Sequence, residues 1–203
     1  MERQMIISIG RELGSGGHEI AEKLAKIYGL PMYDRDLLKH ASAELNLQED
    51  HVEALKKFDE KPKNKLFHRT EKGLSSSPEQ NVAQLQFQFL KDKAASGESF
   101  VVVGRCAESI LKDNEGLISF FIIADKDKAI SRIAESFQLS EKDARKKIRE
   151  TNKKRKKYHN SYSEHKWGKA SSYDLTINSS RLGIYGTVKL LSQFIDARMG
   201  KEQ

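Results

Sequence analysis

The hydrophobic residues of this chain fall into short runs that are separated by longer polar or mixed stretches. Five runs are apolar enough to be buried strands, and they cover residues 5–9, 30–33, 100–103, 117–123 and 174–177. Most of these runs do not alternate with polar residues, which is typical of parallel strands that are covered on both faces. The hydrophobic pattern therefore predicts five strands of a parallel sheet.

The stretches between the strands carry helical spacing. Ile20, Leu24 and Ile27 recur at intervals of three to four residues, and Gly29 is placed to end that helix. The same periodicity predicts further helices near residues 37–41 and 82–89, and over residues 126–137, 140–158 and 184–198. Strands that alternate with helices predict an open α/β fold.

One long stretch lacks this periodicity. Residues 59–80 are polar and contain Pro62, Gly73 and a serine-proline turn signal at residues 75–78. Such punctuation is typical of irregular structure. We interpret this stretch as an excursion from the main fold and not as a second domain.

Charged residues follow the predicted strands at the edge where such sheets bind ligands, which is beyond the carboxyl ends of the strands. The residues at those ends are Gly10-Arg11, Asp34-Arg35, Gly104-Arg105, Asp125 and Asn178-Ser179. Three of them are arginines, whose guanidinium groups bind phosphate through two parallel hydrogen bonds. The strand ends therefore indicate a site for a phosphorylated ligand.

Four glycines lie between the first strand and the first helix, at positions 10, 14, 16 and 17. Glycines in such a loop let backbone N–H groups turn toward an anion, and the start of the following helix adds its partial positive charge. We therefore predict a phosphate-binding loop. The loop does not fit the usual Walker pattern, because Gly17 stands where that pattern has lysine and His18 follows it.

A second interpretation of the same glycines stays open. Their spacing also fits short-chain dehydrogenases, and a Tyr-x-x-x-Lys pattern occurs at Tyr162 and Lys166. That pattern lies in a polar segment with only one predicted strand after it. A dinucleotide-binding enzyme of that class would need more chain, so we consider this interpretation the weaker one.

Positive charge is concentrated in one segment. The 203 residues include 36 Lys and Arg against 29 Asp and Glu, a net charge of +7. Residues 141–170 contain twelve of the basic residues and four acidic ones, so the rest of the chain is nearly neutral. Such a segment favours a phosphate-rich partner. Nucleic acid is the less favoured partner, because the basic run lacks the interleaved aromatic residues on which bases stack.

The remaining composition points to a cytoplasmic protein. The one cysteine, Cys106, excludes an internal disulfide framework and fits a reducing compartment. The apolar runs are much shorter than the roughly 20 residues of a membrane span, so we expect no membrane partner. We find no cluster of metal ligands at a recognised spacing, and we expect a monomer or a weak homodimer.

Five segments, in this order, resemble the cytidylate kinase-like family, which is related to bacterial cytidylate kinase among the nucleoside monophosphate kinases. They are residues 10–17, 31–35, 103–107, 166–168 and 173–183. The resemblance implies one three-layer P-loop NTPase domain around a five-stranded parallel sheet. Its core would comprise residues 1–34, 81–138 and 172–203, with a helical monophosphate-binding excursion at 35–80 and a basic helical lid at 139–171.

The resemblance also implies an activity, which is ATP- and Mg²⁺-dependent phosphoryl transfer to a nucleoside monophosphate such as CMP or dCMP. The expected ATP-binding residues are Gly10, Gly14, Ser15, Gly16, Gly17, His18 and Asn178. The expected acceptor-binding residues are Asp34, Arg35, Arg105 and Cys106. Cys106 stands where cytidylate kinases have an aspartate after the arginine.

Phosphoryl transfer depends on positioning and on neutralising the charge of the transferred group. Because the Walker lysine is missing, we expect Arg11 and the lid cations Lys154, Arg155 and Lys157 to supply that charge. Mg²⁺ would be held mainly by phosphates and water, with Ser15 as a weaker candidate ligand. The alternative, in a different functional class, is a nucleotide-sensing protein that binds ATP or a monophosphate without transfer.

Overall fold

The computed structural model describes residues 3–34 and 78–200. The strands are β1 (Ile6–Arg11), β2 (Met32–Tyr33), β3 (Phe100–Val103), β4 (Leu117–Ile123) and β5 (Leu175–Asn178). The helices are α1 (Gly17–Tyr28), α2 (Pro78–Ala95), α3 (Ala107–Ile110), α4 (Lys126–Phe137), α5 (Glu141–Tyr162) and α6 (Ser179–Arg198), with a 3₁₀ turn at Ala170–Ser172. Within these residues no helix combines the length and the apolar character needed to cross a membrane.

The five strands form one parallel sheet in the order β2-β3-β1-β4-β5, which confirms the predicted fold class. β1 is the central strand and pairs with β3 on one side and β4 on the other. In dinucleotide-binding folds the second strand, and not the third, lies next to the first. The observed order therefore argues against the dehydrogenase interpretation.

Both faces of the sheet are covered. Ile7 and Ile9 of β1 pack in a cluster with apolar residues of α1 and α6. Ile6, which points to the other face, packs in a second cluster that includes Phe89 and Leu90 of α2. This double coverage explains why the strands are nearly continuous apolar runs. It also leaves the carboxyl edge of the sheet as the place where polar side chains gather.

Two helix boundaries differ from the sequence prediction. α5 continues past the expected end near residue 158 to Tyr162. α6 begins at Ser179 instead of residue 184, because the side chain of Asn178 accepts a hydrogen bond from the N–H of Ser180 (3.0 Å) and caps the helix. Gly183 interrupts α6 with a positive φ of 66°, and this break hides the first turn from a search for helical periodicity.

Most of the predicted excursion, together with Arg35 and the predicted helix near residues 37–41, lies outside the described residues. The predicted lid is described, and it consists of α5, the 3₁₀ turn and their connections. The division of the chain into core, excursion and lid stays a prediction.

The basic helix α5 is attached to the core by a buried acid–base pair. Nε2 of His159 lies 2.5 Å from Oε1 of Glu108 in α3, and the two side chains are only 6% and 3% exposed. The thiol of Cys106 donates to the carbonyl oxygen of His159 at 3.9 Å. A buried carboxylate is very costly without a partner. This pair therefore holds the last turns of α5 against the segment that follows β3.

We expect the two members of the pair to depend on each other. Glu108→Leu should have a smaller effect in the His159→Leu background than in the wild type, because no buried polar group is then left unpaired. Each single substitution should lower the free energy of unfolding by about 3–5 kcal/mol. Urea unfolding of the four proteins measures the coupling, with His165→Leu, an exposed histidine beyond α5, as the control. Additive losses would contradict the proposed pairing.

Candidate active site

The glycine loop lies between β1 and α1 and has a backbone that only glycine adopts readily. Gly14 and Gly16 have positive φ angles of 83° and 74°. A Cβ on Gly14 would also lie 2.8 Å from the carbonyl oxygen of Ala129 in α4. The first N–H groups of α1 have no partners inside the helix, and they carry its partial positive charge. The loop is therefore shaped to bind phosphate.

Side chains from three other elements brace the backbone of this loop. Arg132 of α4 donates to the carbonyl of Gly14 (2.5 Å), Ser179 of α6 donates to the carbonyl of Ser15 (2.6 Å), and Asn152 of α5 accepts from the N–H of Leu13 (2.8 Å). Sequence spacing does not predict these contacts, because each joins residues more than 100 positions apart. These three hydrogen bonds fix the path of the loop backbone between β1 and α1.

Two of the predicted ATP-binding residues, Ser15 and Gly10, have structural roles. The hydroxyl of Ser15 is fully buried, donates to the carbonyl of Glu12 (2.9 Å) and accepts from the N–H of Gly17 (3.3 Å). Gly10 lies inside β1, where a Cβ would come within 2.6 Å of the ring of Phe121. Ser15 therefore offers a ligand its backbone and not its side chain.

Two further predicted ATP-binding residues, His18 and Asn178, lie on either side of the loop. His18 is exposed in the first turn of α1, with Nε2 3.2 Å from Glu22 and 4.0 Å from Asp34. Asn178, besides capping α6, donates from Nδ2 to Asp125 at 2.7 Å. Asn178 thus joins the ends of β4 and β5.

The side chain of Arg11 crosses directly over Gly17. A Cβ on Gly17 would lie 2.6 Å from the Cβ of Arg11. At its far end the guanidinium reaches Gly104, where a Cβ would meet Nη1. Arg11 thus extends from the start of α1 to the end of β3, and it fills the space through which a lysine at position 17 would leave the backbone.

Two more arginines lie around Arg11. Arg155 of α5 donates from Nη1 to the backbone carbonyl of Arg11 (3.1 Å), and Arg105 follows β3. Burial, with the nearby charges of Arg155 and Arg105, lowers the pKa of Arg11 to about 9, whereas Asp34 raises it. Burial also lowers the pKa of Arg155. Arg11 remains protonated at neutral pH, so this cluster has excess positive charge that suits a phosphorylated ligand.

The remaining predicted site residues differ in placement. Lys154 and Lys157 are exposed on α5. Cys106 is buried, and burial, followed by the nearby Glu108, raises the pKa of its thiol. The thiol is therefore uncharged at neutral pH and turned into the protein. In the described part of the chain, no group of three or more His, Cys, Asp or Glu residues is arranged to hold a metal ion.

Comparison with known proteins agrees with the sequence resemblance. Residues 6–181 match the profile of the cytidylate kinase-like family. The chain is also similar to the crystal structure of an uncharacterized protein from Eubacterium ventriosum, with 37% sequence identity, a TM-score of 0.75, and coverage of 96% of this chain and 99% of that chain. A search of curated proteins found no match.

More distant structures share the fold. Shikimate kinase from Bacteroides thetaiotaomicron has a TM-score of 0.55 at 13% identity, with 95% of this chain and 98% of that chain covered. Shikimate kinase from Acinetobacter baumannii, in complex with shikimate, has a TM-score of 0.52 at 12% identity, with 97% and 95% covered. At these identities the likeness is one of fold, and the fold is that of P-loop NTPases.

The contact between Arg11 and Gly17 predicts that the effect of Gly17→Ala on the free energy of unfolding depends on the residue at position 11. In the wild type, Gly17→Ala should lower the free energy of unfolding by about 1–3 kcal/mol, because the added methyl group overpacks against Arg11. In an Arg11→Gly background the same substitution should be neutral or stabilising, because the Cβ and Cγ of position 11 are then absent and alanine is the better helix residue. Denaturant unfolding of the four proteins measures both effects. Equal losses in the two backgrounds would show that Arg11 does not occupy this space.

Proposed function

The chain belongs to the cytidylate kinase-like family, and from that membership we propose that it transfers the γ-phosphoryl group of ATP to a nucleoside monophosphate. The acceptor that we propose is a pyrimidine nucleotide such as CMP or dCMP. One observation carries the proposal, which is that Arg11 lies across Gly17 in the space of the missing Walker lysine. The stem of this arginine lies on the phosphate-binding loop and its guanidinium lies at Gly104, so the site has a cation although the usual lysine is absent.

ATP would bind with its β-phosphate on the backbone N–H groups of Gly14 to Gly17, and His18 and Asn178 remain candidate contacts to the nucleotide. Mg²⁺, when bound with ATP, neutralises charge on the phosphates. It would be held by phosphate oxygens and water, as this ion tolerates. The glycine loop fits this arrangement, because the hydroxyl of Ser15 already donates to the carbonyl of Glu12 and is not needed as a metal ligand.

Arg11 would neutralise negative charge on the phosphoryl group during transfer. Its Cβ and Cγ lie against Gly17 and its guanidinium lies at Gly104, beside the strand end where we propose that the acceptor binds. Arg155 stands beside it and is fixed by its bond to the backbone of Arg11. Donors that are already in place stabilise developing charge without reorganisation. Lys154 and Lys157 would add to the field from the exposed side of α5.

Asp34, Arg35 and Arg105 would bind the acceptor. Arg105 has a positive φ of 61°, which turns the chain sharply at the end of β3. Its guanidinium carbon lies 5.9 Å from the centre of the Tyr158 ring. A guanidinium at this strand end suits the acceptor's phosphate, which it would bind through two hydrogen bonds.

The direct test is ADP formation from ATP and Mg²⁺ with a panel of ribo- and deoxyribonucleoside monophosphates, shikimate, and a control without acceptor. We expect turnover that prefers CMP or dCMP. Arg11→Met should lower kcat by about 10²-fold or more, as loss of a transition-state donor does. The ligand-free variant should be at least as thermostable as the wild type, because like-charge repulsion is relieved. ATP binding without transfer to any acceptor would favour the sensing alternative.

A second test moves the cation to its usual position. Arg11→Gly combined with Gly17→Lys should recover at least about tenfold in kcat over Arg11→Gly alone, because removal of the Cβ at position 11 gives the lysine space as well as charge. Arg11→Gly combined with Gly17→Met is the matched control, since methionine has similar length without charge. Gly17→Lys alone should impair folding or activity. Equal rates in the lysine and methionine double variants would remove this cation from the mechanism.

A further inference from the structure

Among the buried side-chain atoms of the described residues that have no hydrogen-bond partner, two belong to the same amide. Gln86 of α2 is 0% exposed, and neither its Nε2 nor its Oε1 makes a hydrogen bond. A buried amide in this state is costly, and native proteins keep few of them. The substitution of an apolar residue would remove the cost. A ligand that bonds to both ends of the amide would give the glutamine a function.

The position of Gln86 on α2 indicates on which side of the helix it lies. With 3.6 residues per turn, Gln86 lies between Phe89 on one side and Phe87 on the other. The Phe89 ring packs edge-on against Tyr33 at the end of β2, with centroids 5.2 Å apart. The Phe87 ring packs edge-on against Tyr162 of α5, at 5.3 Å. Gln86 therefore lies on the side of α2 that packs against the end of β2 and against α5.

The part of α5 that packs against this side of α2 carries aromatic side chains, and one of them contacts an arginine. The rings of Tyr162 and Tyr158 lie 4.9 Å apart. The guanidinium of Arg105 approaches the Tyr158 ring at 5.9 Å. Aromatic rings suit a planar ligand group, and the arginine suits a phosphate. An unpaired carboxamide on the helix that packs against these rings is a group that a nucleotide base would satisfy.

We propose that Gln86 binds the hydrogen-bonding edge of the acceptor's base. Its amide presents a donor and an acceptor side by side, which match the amino and ring nitrogen of cytosine or, after rotation by 180°, the imino and keto groups of uracil. Gln86 thus selects a nucleobase over a non-planar acceptor without choosing between the two pyrimidines. The inference rests on the proposed function, because it names the part of the acceptor that this site recognises.

The test compares ligands with and without a base. Calorimetry measures the binding of CMP, UMP and ribose 5-phosphate to the full chain in the presence of a non-hydrolysable ATP analogue. Gln86→Leu should weaken the binding of CMP and UMP by about 10- to 100-fold, as the loss of two hydrogen bonds does. It should leave ribose 5-phosphate unchanged. Gln84→Leu is the matched control, because Gln84 is exposed on the same helix.

A second measurement separates recognition from structure. Because the amide of Gln86 has no partner in the protein, Gln86→Leu should unfold at the same temperature as the wild type or higher. A clear fall would indicate a structural role and overturn the inference, and Gln86→Met repeats the comparison with a flexible side chain.

The outcomes also separate this inference from the proposed function. Unchanged binding and phosphorylation of CMP and UMP by Gln86→Leu would overturn the inference and leave the kinase intact. A wild-type protein that binds neither nucleotide but phosphorylates shikimate would overturn the nucleobase inference and the nucleotide acceptor together, while phosphoryl transfer itself would stand. A wild-type protein that binds the nucleotides through Gln86 without transfer would overturn only the proposed activity.

Discussion

The burial of Arg11 among like charges is the constraint to which the rest of the site responds. Burial disfavours the charge on Arg11 most, Arg155 and Arg105 add to this effect, and Asp34 offsets only part of it. A protein keeps such a cluster only if the surrounding structure holds it in place. Here the holding contacts are the bond from Arg155 to the backbone of Arg11 and the buried pair of Glu108 and His159 that fastens α5. An anionic ligand then relieves the repulsion.

The two halves of the site differ in how fully their polar groups are used. On the side of the glycine loop, backbone carbonyls and side chains already bond to one another, and Arg132, Ser179 and Asn152 brace the turn. On the side of α2, the amide of Gln86 has no partner. A braced loop binds a common group such as polyphosphate in one geometry. An unsatisfied amide penalises any ligand that fails to match it, and this half therefore governs discrimination.

Much of the fold can be predicted from local pattern, whereas much of the site cannot. Apolar runs and intervening helices predict the five strands and their parallel arrangement. The positions at the carboxyl ends of those strands single out Asp34, Arg11 and Arg105. The periodicity search misses the first turn of α6, because Gly183 breaks its spacing. Cys106, expected to contact the acceptor, is buried instead.

Contacts between distant parts of the chain leave no local signal. Glu108 and His159 are 51 residues apart, and Gly14 and Arg132 are 118 apart. The missing lysine is visible in the sequence. The position of the Arg11 side chain against Gly17 depends on how tightly β1 turns into α1. The spacing of residues in the sequence does not predict this.

The packing of Arg11 on Gly17 also restricts the evolutionary history of the site. Because the Cβ atoms of positions 11 and 17 would lie 2.6 Å apart, lysine at position 17 requires glycine at position 11. A lineage that starts with lysine at the usual position must therefore lose that lysine before it acquires Arg11, and the intermediate lacks both cations. Once Arg11 is in place, lysine at position 17 is excluded until position 11 becomes glycine. The contact therefore hinders the exchange of one cation for the other in both directions.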